Sequence, residues 1–180
     1  MRFYINNVSI KIEFSFFLII SFSILTDSES VLYVILFSAL HELGHIVMLY
    51  VLGGRAESIT IACYGIGLKH KSKLNDFRQI LFLLGGVTVN FIFVLLNIER
   101  EINLALFAVN ILPLYPLDGG RVLKLVLNNL LTINISDKVF KIISIIIIAF
   151  LIAAAVYFKN LSLTLIVIYI IIYSLNNSFD

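Results

Sequence analysis

Residues 37–50, FSALHELGHIVMLY, would read as plain membrane-spanning helix but for His41, Glu42 and His45. Ionisable groups are costly and rare inside a bilayer, and those found there mark function. The three fit the pattern His-Glu-x-x-His. On a helix, histidines four positions apart project from one face, where two imidazoles can share a zinc ion. The glutamate beside them can then act as base on a metal-bound water. The plainer alternative is a buried polar cluster that hydrogen-bonds neighbouring helices. Three costly groups within one apolar span favour the metal.

The composition supports a membrane setting. Of 180 residues, 61% are hydrophobic and 13% charged, against about 45–50% apolar and about 25% charged in soluble domains. Mean hydropathy is +1.05. A chain this short has no core large enough to absorb that excess, so it is expected to be an all-α polytopic membrane protein. The single cysteine, Cys63, excludes an internal disulfide and a cysteine-rich zinc site. The net charge of +2 is small, and no nucleic-acid partner is expected. The polar stretch after Arg2 and the lack of a small-residue cleavage site argue against a cleaved signal peptide.

Six apolar segments can be drawn: Phe14 to Leu25, Val31 to Leu52, Ile80 to Ile98, Ile102 to Leu117, Phe140 to Phe158, and Leu161 to Leu175. Only the second, third and fifth approach the roughly 20 residues that cross a bilayer as helix. Charge placement tests the count. With six spans, eleven lysines and arginines fall at the N-terminal side and only Arg100 and Lys159 opposite. Such residues collect in the cytoplasm, so both termini are expected there. VSIKIEF alternates with a strand-like period of two, and the stretch after the second span, centred on SITIACYGIG, reads as a hairpin. Open strand edges cannot face lipid, so both belong at the cytoplasmic interface or against a cavity. KLNDFRQIL reads as an interfacial lead-in to the third span. A single membrane domain over 1–180 is expected, with a core at about 8–130, two further helices over 138–175 and no soluble regulatory domain.

A catalytic zinc usually takes three protein ligands and leaves one position open. His70, in KHKSK, reads as a solvated loop histidine, and Glu99 and Glu101 lie at the opposite rim. Asp118, in NILPLYPLDGGRVLK, remains; Pro113 and Pro116 break the helix before it, as in segments that line a cavity. Its alternatives are an ion pair with Arg121 or a helix N-cap.

HELGH and NILPLYPLDGGR together resemble the site-2 proteases (peptidase family M50), most closely the six-span branch that includes the stage IV sporulation protease. Asn110, Pro116, Asp118 and Gly119 match that family's Asn…Pro-x-Asp-Gly pattern. The resemblance implies zinc held by His41, His45 and Asp118, with Glu42 as the base and Asn110 holding substrate near the metal. It also implies a membrane-spanning or membrane-associated protein substrate, a place in a bacterial cell membrane, and a role in regulated proteolysis of the sigma-factor kind. A homo-oligomer or a regulatory membrane partner stays open. In LGGVTVNF, Gly86 and Asn90 stand where relatives carry Gly-Pro-x-x-Asn, with Val87 replacing the proline. Asn90 is thus a second substrate-binding candidate, or else an interhelical hydrogen bond. The contrasting functions are a zinc-binding scaffold without catalysis, for which an intact Glu42 is superfluous, and a metal transporter, for which paired halves are absent.

Overall fold

The computed structural model describes the chain except residues 6–7, 26–28, 63–64, 71, 73, 160–163, 165–167 and 169–180. It divides into two compact units, Met1–Ala108 and Val109–Asp180.

The first unit opens with two strands, β1 (Arg2–Ile5) and β2 (Val8–Ile12), followed by helices α1 (Phe14–Leu25) and α2 (Glu29–Val51). Strands β3 (Ala56–Ala62) and β4 (Gly65–His70) come next, then α3 (Asp76–Leu95) and most of α4 (Arg100–Ile111). The sheet order is β1-β2-β3-β4. β1/β2 and β3/β4 pair antiparallel, while β2 runs parallel to β3 with Ile10 opposite Ile59. The parallel pair requires a crossover, and α1 and α2 supply it. The period-two reading of residues 8–14 and the hairpin reading after α2 both appear as strands. β1 lay outside the sequence reading.

α2 ends where its sequence stops permitting helix. Gly53 takes φ +79°, and the N–H groups of Gly53 and Gly54 bond back to the carbonyls of Tyr50 and Leu49. This glycine closure satisfies carbonyls the helix leaves unpaired. α3 starts earlier than expected, at Asp76 instead of Ile80, because Asn75 caps it by accepting from the Arg78 N–H at 3.0 Å. KLNDFRQIL is therefore largely the opening of α3 itself.

α2 and α3 pack through glycine. A Cβ on Gly44 would lie 2.6 Å from the Gly85 carbonyl oxygen, and one on Gly85 would lie 2.8 Å from that of Gly44. Small residues at such a crossing let two backbones approach, as membrane helices require when packing must replace the hydrophobic drive. Phe37, Leu49, Phe82, Leu83 and Val87 fill the buried seam around it.

In the second unit the expected fourth span, Ile102 to Leu117, ends early. α4 stops at Ile111, two residues before Pro113, and the chain turns through Leu117 with a cis Tyr115–Pro116 bond. Residues 118–139, which lie between the fourth and fifth expected spans, form α5 (Asp118–Leu130) and the first turns of α6 (Ile133–Phe158). Leu131 and Thr132 join the two. Across the joint Ser136 donates to Asn128 Oδ1 at 2.6 Å, and Lys124 pairs with Asp137.

α2, α3 and α6 are long and apolar enough to cross a membrane, and α1 is a shorter apolar helix. Apart from Thr164 and Ile168, the sixth predicted segment lies outside the described residues, as does Cys63.

Candidate metal centre

α2 carries His41, Glu42 and His45 with one possible ligand atom from each lying within 4.8 Å of the others. Both histidines are 5% exposed. Each imidazole is held by its Nδ1. His45 Nδ1 lies 2.9 Å from the Phe82 carbonyl, which can only accept, and farther, 3.3 Å, from the Gly86 N–H, so the carbonyl fixes it as donor; His41 Nδ1 meets Asn90 Oδ1 at 2.6 Å. With Nδ1 donating to oxygen, Nε2 of each neutral ring carries a lone pair. The two Nε2 atoms face one another 3.2 Å apart. In this tautomer the two lone pairs repel, and a cation shared by both relieves the repulsion. The spacing also matches the edge of a tetrahedron, about 3.3–3.4 Å for nitrogens about 2.0–2.1 Å from a zinc ion. The donor set thus fits a zinc-type metal.

Gly86 of α3 makes room for the pair. A Cβ there would fall 2.5 Å from His45 Nε2 and 2.6 Å from His41 Nε2. Only a residue without a side chain can back the imidazoles this closely. The same helix supplies the Phe82 carbonyl, Gly86 and Asn90, so α2 brings the donors and α3 their supports.

Asn90 is fully buried and bonds His41 on one side and Asn103 on the other. Both bonds run between helices, from α3 to α2 and from α3 to α4, and one of them engages the side chain at the histidine. Asn103 was missed by the sequence reading; a lone asparagine in the apolar run INLALFAV was its only signal. His70 is a correction. It ends β4 instead of lying in a solvated loop, its ring is 4.9 Å from that of Phe82, and Phe82 also stacks near His45 at 5.4 Å. Its Nδ1 is buried and finds no hydrogen-bond partner among the described residues.

The second unit holds Asp118 and Asn110. Asp118 is the first residue of α5 and 7% exposed, with Leu117 as N-cap, so the N-cap alternative is displaced by one position. Its carboxylate occupies the first helical turn, where the helix dipole favours negative charge. The two glycines after it let that turn close on the preceding chain: a Cβ on Gly119 would lie 2.1 Å from the Ile111 carbonyl oxygen, and one on Gly120 2.3 Å from the Leu114 carbonyl carbon. Arg121 is exposed. Asn110 is half-buried in the last turn of α4.

A family model for peptidase family M50 matches residues 88–154, the half that contains the LDGGR motif. A zinc metalloprotease of Methanocaldococcus jannaschii is 30% identical over 145 residues, which is 67% of this chain and 42% of that protein. The chain therefore spans less than half the length of this curated relative. The solved site-2 protease of the same organism shares the fold, with a TM-score of 0.65 at 22% identity over 94% of this chain and 91% of that one. Matching sequence in one half, the His-Glu-x-x-His cluster in the other and the common fold lead to one assignment: the chain belongs to peptidase family M50, the site-2 proteases.

Proposed function

We propose that this chain is an intramembrane zinc metalloprotease that hydrolyses a peptide bond of a membrane-spanning or membrane-associated protein. The observation that carries the reading is the pair of anchored imidazoles with facing Nε2 atoms and Glu42 beside them, all on the apolar α2. His41 and His45 supply two ligands, and Asp118 the third. Zinc, when bound, supplies a Lewis acid that brings the pKa of a coordinated water near neutrality. Glu42 accepts the proton released as the scissile carbonyl is attacked and can return it to the leaving amine. Asn110 holds the substrate backbone at the site. Chelator-sensitive cleavage within the span of a tagged single-span protein tests the activity, and cleavage indifferent to chelator refutes it.

The third ligand has its own test. Asp118→Asn should lower zinc affinity and cleavage steeply. Arg121→Ala should be milder, because Arg121 is exposed. Full zinc occupancy in purified Asp118→Asn would defeat the assignment, and matching losses in the two variants would favour a local pair.

The substrate must be extended to be cut, since helical carbonyls are already bonded, and an extended segment can add to a sheet edge. The sequence points to 58–67 as the acceptor. β3, however, lies between β2 and β4, so its edges are used; β4 has the outer edge. Its C-terminal residue, His70, packs on Phe82 beside His45, which leads an added strand toward the metal. Alternate residues of a strand point their N–H groups to opposite sides, so one of Gly67 and Leu68 presents an outward donor. Proline at that position should suppress cleavage with insertion and zinc retained. Unchanged cleavage with proline at either residue rules out this edge.

Six spans with both termini in the cytoplasm complete the reading, as does a place near the sporulation branch. Reporters fused at Ser72 and after Asp180 should give cytoplasmic signals and one at Ser28 an exterior signal; an exterior signal at Ser72 overturns this topology.

A further inference from the structure

A chain of buried amides runs from the metal cluster to the α3–α4 turn. His41 Nδ1 is 2.6 Å from Asn90 Oδ1, Asn90 Nδ2 donates to Asn103 Oδ1 at 3.0 Å, and Asn103 Nδ2 donates to the carbonyls of Ile98 and Glu99 at 3.0 and 3.2 Å. Asn90 and Asn103 are both 0% exposed. Neither asparagine is open to water.

The polarity of the chain is dictated from its far end. The Ile98 and Glu99 carbonyls can only accept, so Asn103 must turn its amide nitrogen to them. Its oxygen then faces Asn90 and can only accept, which turns the Asn90 nitrogen that way and the Asn90 oxygen toward His41. His41 must therefore carry its hydrogen on Nδ1. The Glu99 carbonyl also accepts the Asn103 backbone N–H at 3.0 Å, and its second lone pair takes the side chain. Asn97 and Glu99 adopt positive φ, 57° and 38°, and α4 begins only at Arg100.

We infer that Asn103 is a positioning residue of the metal site: through Asn90 it holds His41 in the orientation and tautomer that leave its Nε2 lone pair for the ion. The inference rests on the metal reading of His41 and His45. Outer groups that orient a ligating histidine typically matter by about 10–100-fold in metal affinity. Asn103 acts at one remove, through Asn90.

The test is zinc affinity by chelator competition on the purified full chain, in a double-mutant cycle. Asn103→Ala should weaken zinc by about 10-fold. Asn90→Asp supplies a carboxylate that accepts from His41 Nδ1 whatever Asn103 does. In that background Asn103→Ala should cost little affinity. A residue that merely stabilises the fold would cost the same in both backgrounds, and equal losses overturn the inference. So does unchanged affinity in Asn103→Ala. If that variant does not insert, Asn103→Leu, close in size but without a polar atom, replaces it in the same cycle. Nitrogen-15 spectra of the wild-type, metal-free protein give a reading independent of any variant. His41 should be protonated on Nδ1, and an Nε2–H ring overturns the inference. Wild type that binds no zinc overturns the metal reading and this inference together. Wild type that binds zinc with indifferent Asn103 variants overturns this inference alone.

Discussion

Glu42→Gln should leave the protein inserted and loaded with zinc while cleavage falls by about 10²–10⁴-fold, the usual share of a positioned general base. Glu42 follows His41 on α2, half-buried and within the span of the donor cluster. Glutamine keeps its volume and most of its hydrogen-bonding reach, so packing is preserved. It cannot accept the proton that the attacking water must lose. The comparison with His41→Ala and His45→Ala separates two kinds of loss, since those variants should lose zinc as well as activity. Cleavage near the wild-type rate in Glu42→Gln would remove Glu42 as the base and reopen the scaffold reading, in which the cluster binds metal without chemistry. Purified His41→Ala/His45→Ala still holding one zinc per chain would put the metal elsewhere.

The parts of this protein legible in the sequence are those where a local pattern and a membrane penalty coincide. His41, Glu42 and His45 stand out because each is expensive in an apolar helix, and the strands on either side of α1–α2 because alternation and glycines survive in short windows. The α2 span ends at a glycine pair the sequence shows plainly. The rest depended on information not local to any stretch. α5 was hidden because its polar face, with Arg121 and Lys124, reads as loop when only apolar runs are sought. The start of α6 was hidden for the same reason, its first turns being polar through Asp137 and Lys138. Asn103 showed only as one amide in an apolar run, since its value lies in reaching Asn90 thirteen residues back and two turn carbonyls. β4 as the outer edge could not be read before the parallel β2–β3 pairing was known. Gly86 could be noted as matching a family pattern, but the cause, two imidazole nitrogens at its Cα, is a tertiary fact.

Gly86→Ala should abolish stoichiometric zinc binding. The added Cβ would sit 2.5 Å from His45 Nε2, 2.6 Å from His41 Nε2 and 2.7 Å from His41 Cδ2, so the rings or the helices must move. Side-chain tips often yield cheaply, but these rings are pinned from behind: turning His41 breaks its bond to Asn90, and turning His45 breaks its bond to the Phe82 carbonyl. Each buried partner left unsatisfied costs about 1–3 kcal/mol. Moving α3 away instead would open the Gly44–Gly85 crossing. Either response carries the Nε2 atoms off the common point they now face. Leu83→Ala is the control, because it removes buried packing on α3 without adding an atom beside either imidazole. It should lower thermal stability while the protein that stays folded binds zinc with wild-type stoichiometry. Gly86→Ala should show the opposite balance, with metal lost beyond what its stability predicts. Full zinc occupancy at wild-type affinity in Gly86→Ala would mean that the imidazoles have freedom the hydrogen bonds deny them, and that the site is not built against α3.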